Sequence, residues 1–185
     1  MALSSALERV EGFEMGARPI YPYDAGVLAA LLGIGIGSRV LEAGTGSGGM
    51  SFYLNSIGAR VISYEREKKF FEKAKKNLVE CTNVQLVQGD VLSTKEHGFD
   101  AIFLDLQNPA KAVARLKGKL KTNGSFGVYS PIMDDIAPVW RELEKIGTPR
   151  AVQLDLKEVI VKKYARIKGP LGYPGFFLWA KVGKR

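Results

Sequence analysis

From residue 34 onward, short β-rich apolar runs alternate with segments whose apolar residues recur every three or four positions. Such alternation describes a mostly parallel sheet with helices on both faces, an α/β architecture. It predicts strands over Arg39–Glu42, Arg60–Glu65, Val84–Gln88, Phe99–Asp105 and Gly124–Tyr129, each bounded by Gly, Asp or Asn. Between Glu67 and Val79, Phe70, Phe71, Ala74 and Leu78 share helical spacing while lysines occupy the other faces, the pattern of a surface helix packed on a sheet. Asp24 precedes the run Ala25–Leu32 and is placed to cap it, since a carboxylate accepts from the free amides of a first turn. Ile132–Ile146 reads as helical, with Pro138 predicting a kink or an interrupted start. Two final β-like runs, Ala151–Arg166 and Phe176–Val182, flank the Gly/Pro-rich stretch 168–175, which predicts an antiparallel hairpin added to one sheet edge.

The chain of 185 residues fits one domain, residues 1–185. It divides into a helical or loop lead-in (1–33), a cofactor-binding core (34–131) and a C-terminal helix with a hairpin (132–185). No apolar run approaches the ~20 residues needed to span a bilayer, and the acidic start Met1–Glu11 lacks the basic-then-apolar order of a secretory signal. A cytoplasmic protein without membrane partners is expected. Cys81 is the only cysteine and His97 the only histidine, so no disulfide framework and no soft-ligand metal site is expected. The formal charge of +8 favours an anionic partner such as RNA, though charge sets attraction and not chemistry.

Chemistry concentrates where the first strand runs into Gly44, Thr45, Gly46, Ser47, Gly48 and Gly49 before a helix. Glycines there let a ligand approach the backbone. Gly44, Gly46 and Gly49 also satisfy the dinucleotide pattern G-x-G-x-x-G, so the spacing alone admits NAD. Glu65, ending the next strand about 20 residues on, suits the ribose of either cofactor. Glu42 does discriminate: a carboxylate directly before the glycines repels a pyrophosphate but suits a cofactor bearing an ammonium and a sulfonium. With Gly89-Asp90 and Leu104-Asp105, carboxylates end four consecutive strands, the side on which open α/β sheets bind ligands. Any one of these acids has a plain alternative as a helix cap or a solvated strand end.

These residues together resemble the class I S-adenosylmethionine-dependent methyltransferases. Glu42 to Gly48 matches their glycine motif, Glu65 with Arg66 their ribose-binding acid segment, and Gly89-Asp90 the acid near the adenine. The resemblance implies a Rossmann-like fold with a mostly parallel seven-stranded sheet, and S-adenosyl-L-methionine as cofactor. A narrower likeness joins Arg18-Pro19-Ile20-Tyr21-Pro22-Tyr23-Asp24, Leu104-Asp105-Leu106-Gln107-Asn108-Pro109 and Tyr129-Ser130-Pro131 to the glycine motif. It is similar to the catalytic domain of the TrmI/Trm61 family, which methylates N1 of adenosine in the tRNA T-loop. That resemblance implies Asp105 contacting the target base, Tyr21 and Tyr129 lining its pocket, and assembly as a homo-tetramer. The sequence departs from the family at Gln107 and Ala110, which replace a proline and a tryptophan, and at Tyr173-Pro174-Gly175, where a histidine is usual. The few residues before Arg18 are too short for the family's N-terminal RNA-binding domain, so tRNA capture by this chain alone or with a separate RNA-binding subunit are both expected arrangements.

Basic residues crowd Lys68, Lys69, Lys73, Lys75 and Lys76, then Lys111, Arg115, Lys117, Lys119 and Lys121, then Lys157, Lys162, Lys163, Arg166 and Lys168. The first group reads best as a solvated surface, and the latter two as RNA contacts. Alternatives to the tRNA reading are a small-molecule methyltransferase of the corrin-precursor type and a non-catalytic RNA-binding subunit.

Overall fold

Strand burial follows the pattern expected of a sheet covered on both faces: β1 (Arg39–Ala43) is buried from its second residue onward, and β4 (Phe99–Leu104) at every residue but Asp100. The computed structural model describes residues 3–16, 19–154 and 175–182. With β2 (Arg60–Glu65), β3 (Val84–Gln88), β5 (Leu120–Ser130), β6 (Arg150–Leu154) and β7 (Gly175–Lys181), these strands form one sheet in the order β3-β2-β1-β4-β5-β7-β6. The first five strands are mutually parallel, and β7 runs antiparallel to both β5 and β6. The predicted edge hairpin is therefore present. Its connection, residues 155–174, lies outside the described residues, as do the basic positions expected there and Arg18.

Alternation sends neighbouring residues to opposite cores. Val40, Ala101 and Phe103 pack with α2 (Pro22–Leu32) and α3 (Gly49–Ser56), whereas Leu41, Ile102 and Leu104 pack with α5 (Pro109–Leu116) and α6 (Ile136–Glu144). A third cluster joins α1 (Leu3–Glu11) to α3 and α4 (Lys68–Asn77) through Val10, Phe52 and Ala74, with Phe13 and Leu78 beside them. Helices thus cover both faces.

Several boundaries differ from the sequence expectation for identifiable reasons. Asp24 is not the N-cap residue of α2; Pro22 opens the helix and Tyr21 is its N-cap, because proline's fixed φ and missing N–H suit a first helical position. Asp24 lies in the first turn, where its charge still complements the helix dipole. β5 starts at Leu120 rather than Gly124, since Leu120 pairs with Phe99 across a register shift before the apolar stretch begins. Pro138 marks an interrupted start: a 3₁₀ turn at Met133–Asp135 precedes α6, and the proline occupies the first α-helical turn, where no N–H is required.

What positions the site is the chain's route. It leaves β1 outward to β2 and β3, then returns to lay β4 on the other side of β1. The carboxyl ends of β1 and β4 consequently diverge into connections that open a crevice between them, the switch point of a doubly wound sheet.

Candidate active site

Between the ends of β1 and β4 the backbone leaves no room for a side chain at Gly44. A Cβ there would lie 1.9 Å from the Asp105 carbonyl oxygen, and the residue adopts a φ of 90°. Two backbone hydrogen bonds fix the approach: Gly44 N–H donates to the Tyr64 carbonyl at 3.0 Å and Asp105 N–H to that of Ala43 at 2.9 Å. At the start of α3, a Cβ on Gly49 would come within 2.3 Å of the Ile20 carbonyl oxygen. Pro19 and Ile20 thereby become a wall of the crevice beside the glycine loop.

Side chains behind the loop hold it in place. Thr45 and Ser63 share a hydroxyl hydrogen bond of 2.6 Å, and Ser47 Oγ accepts from Gly16 N–H at 3.0 Å. Asn77 donates to the Ser47 carbonyl at 2.9 Å and the Glu14 carbonyl at 3.2 Å, while its own oxygen accepts from Glu14 N–H at 2.8 Å. Ser47 and Gly48 accordingly support the loop from the far side; neither lines the crevice, and a Cβ on Gly48 would press on Leu78 at 3.0 Å.

The crevice encloses about 780 Å³, and the four strand-end acids Glu42, Glu65, Asp90 and Asp105 all line it, as do Gly44, Thr45, Gly46, Arg66 and Gly89. Glu65 is held as an acceptor. Its two oxygens receive Gly46 N–H and Glu67 N–H, each at 2.9 Å, and each oxygen retains a further lone pair. Asp90 also caps the 3₁₀ turn Val91–Ser93 through Leu92 N–H at 2.8 Å, so the plain capping role holds for it beside its place in the crevice. Arg66 is exposed, with its guanidinium 3.6 Å from Glu67. Ser130 donates to Asp135 at 2.6 Å and accepts from Ile132 N–H at 3.1 Å, which shapes the lip formed by Pro131 and Ile132.

Glu42 is 1% exposed and accepts a short hydrogen bond from Ser51. Burial pushes its carboxyl up to about 7, against the lowering effect of hydrogen bonds from Ser51 and Ser63, with Asp105 and Glu65 adding repulsion. Asp105 keeps some exposure to the crevice, yet the surrounding protein desolvates its carboxyl and Glu65 repels its charge, so it too is pushed up to about 7. Both groups would gain from a cation. A stability consequence follows for the ligand-free protein. From pH 4.5 to about 7 the folded state keeps the Glu42 proton that the unfolded chain has released, so stability falls as pH rises through that window. Glu42→Gln is expected to match the parent at about pH 4 and exceed it at about pH 8 by about 3 kcal/mol, measured by urea unfolding at both values.

Tyr21 and Tyr129, given a place in the base pocket by resemblance, are not among the residues that line this crevice. Tyr21 stacks on Tyr23 at 5.6 Å and packs against the α1/α4 cluster. Tyr129, on β5, lies opposite Phe177 of β7 and packs with the α2/α3 core. Conversely, Ile20, Gln107, Asn108, Lys111 and Ile132 line the crevice without having been singled out for it, although Gln107 and Asn108 directly follow Asp105. Among the described residues no cluster of three metal-ligating side chains occurs, and no helix is long and apolar enough to cross a membrane.

Comparison with known proteins places this geometry. The chain is 33% identical over 136 residues to a tRNA (adenine(58)-N(1))-methyltransferase TrmI of Thermus thermophilus, covering 69% of this chain and 53% of the relative. It therefore spans about half the length of that curated relative. The crystal structure of the tRNA (m1A58) methyltransferase TrmI from Aquifex aeolicus superposes with a TM-score of 0.81 at 22% identity, covering 97% of this chain and 76% of that one. A precorrin-6y C5,15-methyltransferase from Geobacter metallireducens shares the fold at a TM-score of 0.76 and 15% identity, over 92% and 95% of the two chains. The fold is the Rossmann-like fold of class I methyltransferases. The model of the tRNA methyltransferase complex GCD14 subunit family matches residues 16–170, and the chain belongs to that family.

Proposed function

We propose that this chain is an S-adenosylmethionine-dependent methyltransferase acting on N1 of an adenosine in tRNA. The observation that carries the reading is the convergence of Glu42, Glu65, Asp90 and Asp105 on one crevice beside a glycine loop that admits no Cβ at Gly44. The donor set fits the cofactor. Glu65 offers two oriented oxygens to a pair of ribose hydroxyls, Asp90 lies at the adjoining strand end, and the desolvated Glu42 and Asp105 favour a ligand carrying positive charge. When bound, S-adenosylmethionine supplies a methyl group activated by its sulfonium.

The chain's own residues perform the rest. Asp105 accepts a hydrogen bond from the exocyclic amine of the adenine, raising electron density at N1 and stabilising the positive charge that the base acquires. The lip of Pro131 and Ile132 supplies an apolar surface beside it, and the crevice walls position the reacting groups. An adenine inside a folded T-loop must leave its stack to reach Asp105.

Incubation with radiolabelled S-adenosylmethionine and total tRNA should yield 1-methyladenosine on nucleoside analysis. Label appearing only in a small-molecule extract would instead support the corrin-precursor type of activity, and cofactor binding without transfer to any acceptor a non-catalytic subunit. A second measurement isolates the cofactor site. Glu65→Ala removes two charge-assisted acceptors and should weaken S-adenosylmethionine binding about 30- to 100-fold by calorimetry, in a protein whose circular dichroism is unchanged. Retained affinity overturns the cofactor assignment.

A further inference from the structure

Resting on the tRNA reading above, we propose that Lys111 and Arg115, on the exposed face of α5, form the surface on which RNA phosphates rest while a nucleotide base enters the crevice. The two are four residues apart and share one side of the helix, about 6 Å along its axis, while Ala112, Val113 and Leu116 bury the other side. Neither makes an ion pair or hydrogen bond among the described residues. Many other basic side chains are already engaged: Lys73 donates to the Met15 carbonyl, Lys76 pairs with Glu14, Lys119 donates to the Thr94 carbonyl and Lys121 pairs with Asp100.

Position makes the pair more than a solvated charge. Lys111 lies in the first turn of α5, where the helix dipole disfavours a cation and no acidic residue is present to offset it. The same residue lines the crevice on the wall that carries Asp105, Gln107 and Asn108. The four carboxylates inside the crevice repel phosphates, so a nucleotide entering base-first must leave its phosphodiesters at the mouth. Lys111 and Arg115 meet them there. Among the described residues, the other cation on the crevice, Arg66, follows the end of β2 and is paired with Glu67. On α4, two of the five lysines, Lys73 and Lys76, hold Met15 and Glu14 against the domain.

Full-length Lys111→Ala/Arg115→Ala should bind tRNA at least tenfold more weakly by fluorescence anisotropy, and the slope of log affinity against log salt should fall by about 1.5 to 2, as two lost phosphate contacts require. S-adenosylmethionine affinity should stay within about twofold by calorimetry. Lys68→Ala/Lys75→Ala on α4 removes the same charge away from α5 and should lower the slope much less. The proposal is overturned by an unchanged tRNA affinity and slope in the α5 variant, by equal effects of the two double variants, by equal loss of tRNA and cofactor affinity, or by a parent protein that does not bind tRNA. Failure of the enzymatic reading looks different: the parent binds tRNA with the full salt slope and transfers no methyl group to it.

Discussion

Gly44→Ala is expected to abolish S-adenosylmethionine binding and to destabilise the domain by about 3 to 5 kcal/mol, the sum of an unrelieved overpacking and a left-handed backbone imposed on a Cβ. The new methyl would sit 1.9 Å from the Asp105 carbonyl oxygen and 2.8 Å from its carbonyl carbon, atoms that belong to backbone and cannot rotate away. Relief requires the ends of β1 and β4 to part. That motion would break the hydrogen bond from Asp105 N–H to the Ala43 carbonyl and shift the Asp105 carboxyl relative to Glu42 and Glu65. Thermal unfolding and calorimetric titration of the same preparation separate the two effects. A variant that remains as stable as the parent and binds the cofactor normally would mean that the Gly44 turn is not the constriction described here. Gly118, where a Cβ would meet nothing within 4 Å, provides the control: Gly118→Ala should change neither property appreciably.

Much of this arrangement was legible in the residues because parallel strands and their ends obey local rules. β2 and β3 begin and end at the residues predicted, since each is a short run bounded by polar or glycine punctuation. The four acids were legible for the same reason: a residue that closes a parallel strand must stand at the ligand-binding edge of the sheet. Side-chain direction was not. Tyr129 directly precedes the crevice residue Ser130, and the alternation of a strand sends the two to opposite faces. Tyr21 is the N-cap before Pro22, and its ring stacks on Tyr23 and packs against the α1/α4 cluster. Supports such as Ser51 on Glu42 and Asn77 on Ser47 bridge residues 9 and 30 positions apart, and no periodicity announces a contact of that kind. Asp24 has the chemistry of an N-cap residue, but Pro22 two residues earlier opens the helix and leaves Asp24 inside its first turn.

Asp105→Asn keeps the shape of the side chain and removes its charge, and it should lower kcat for methyl transfer to tRNA about 100- to 1,000-fold while changing cofactor affinity less than about tenfold. The difference arises because a neutral amide cannot offset the positive charge that develops on the adenine, whereas Glu42 and Glu65 still favour a cationic donor. The pH profile tests the same assignment independently. Asp105 and Glu42 are each pushed up to about 7, and the proposed mechanism needs both in their ionised form, so kcat/KM should rise with pH up to about 7 and level off above it. With two neighbouring carboxyls titrating together, the acid limb should approach a slope of two. In Asp105→Asn the limb should persist with a slope near one, which belongs to Glu42. Asp105→Ala should follow the Asn variant in rate, since the missing charge and not the missing volume limits the reaction. Equal losses of turnover and cofactor affinity in both variants, or an acid limb unchanged by the substitution, would place Asp105 in the cofactor site alone and return the contact with the base to another residue of the crevice wall.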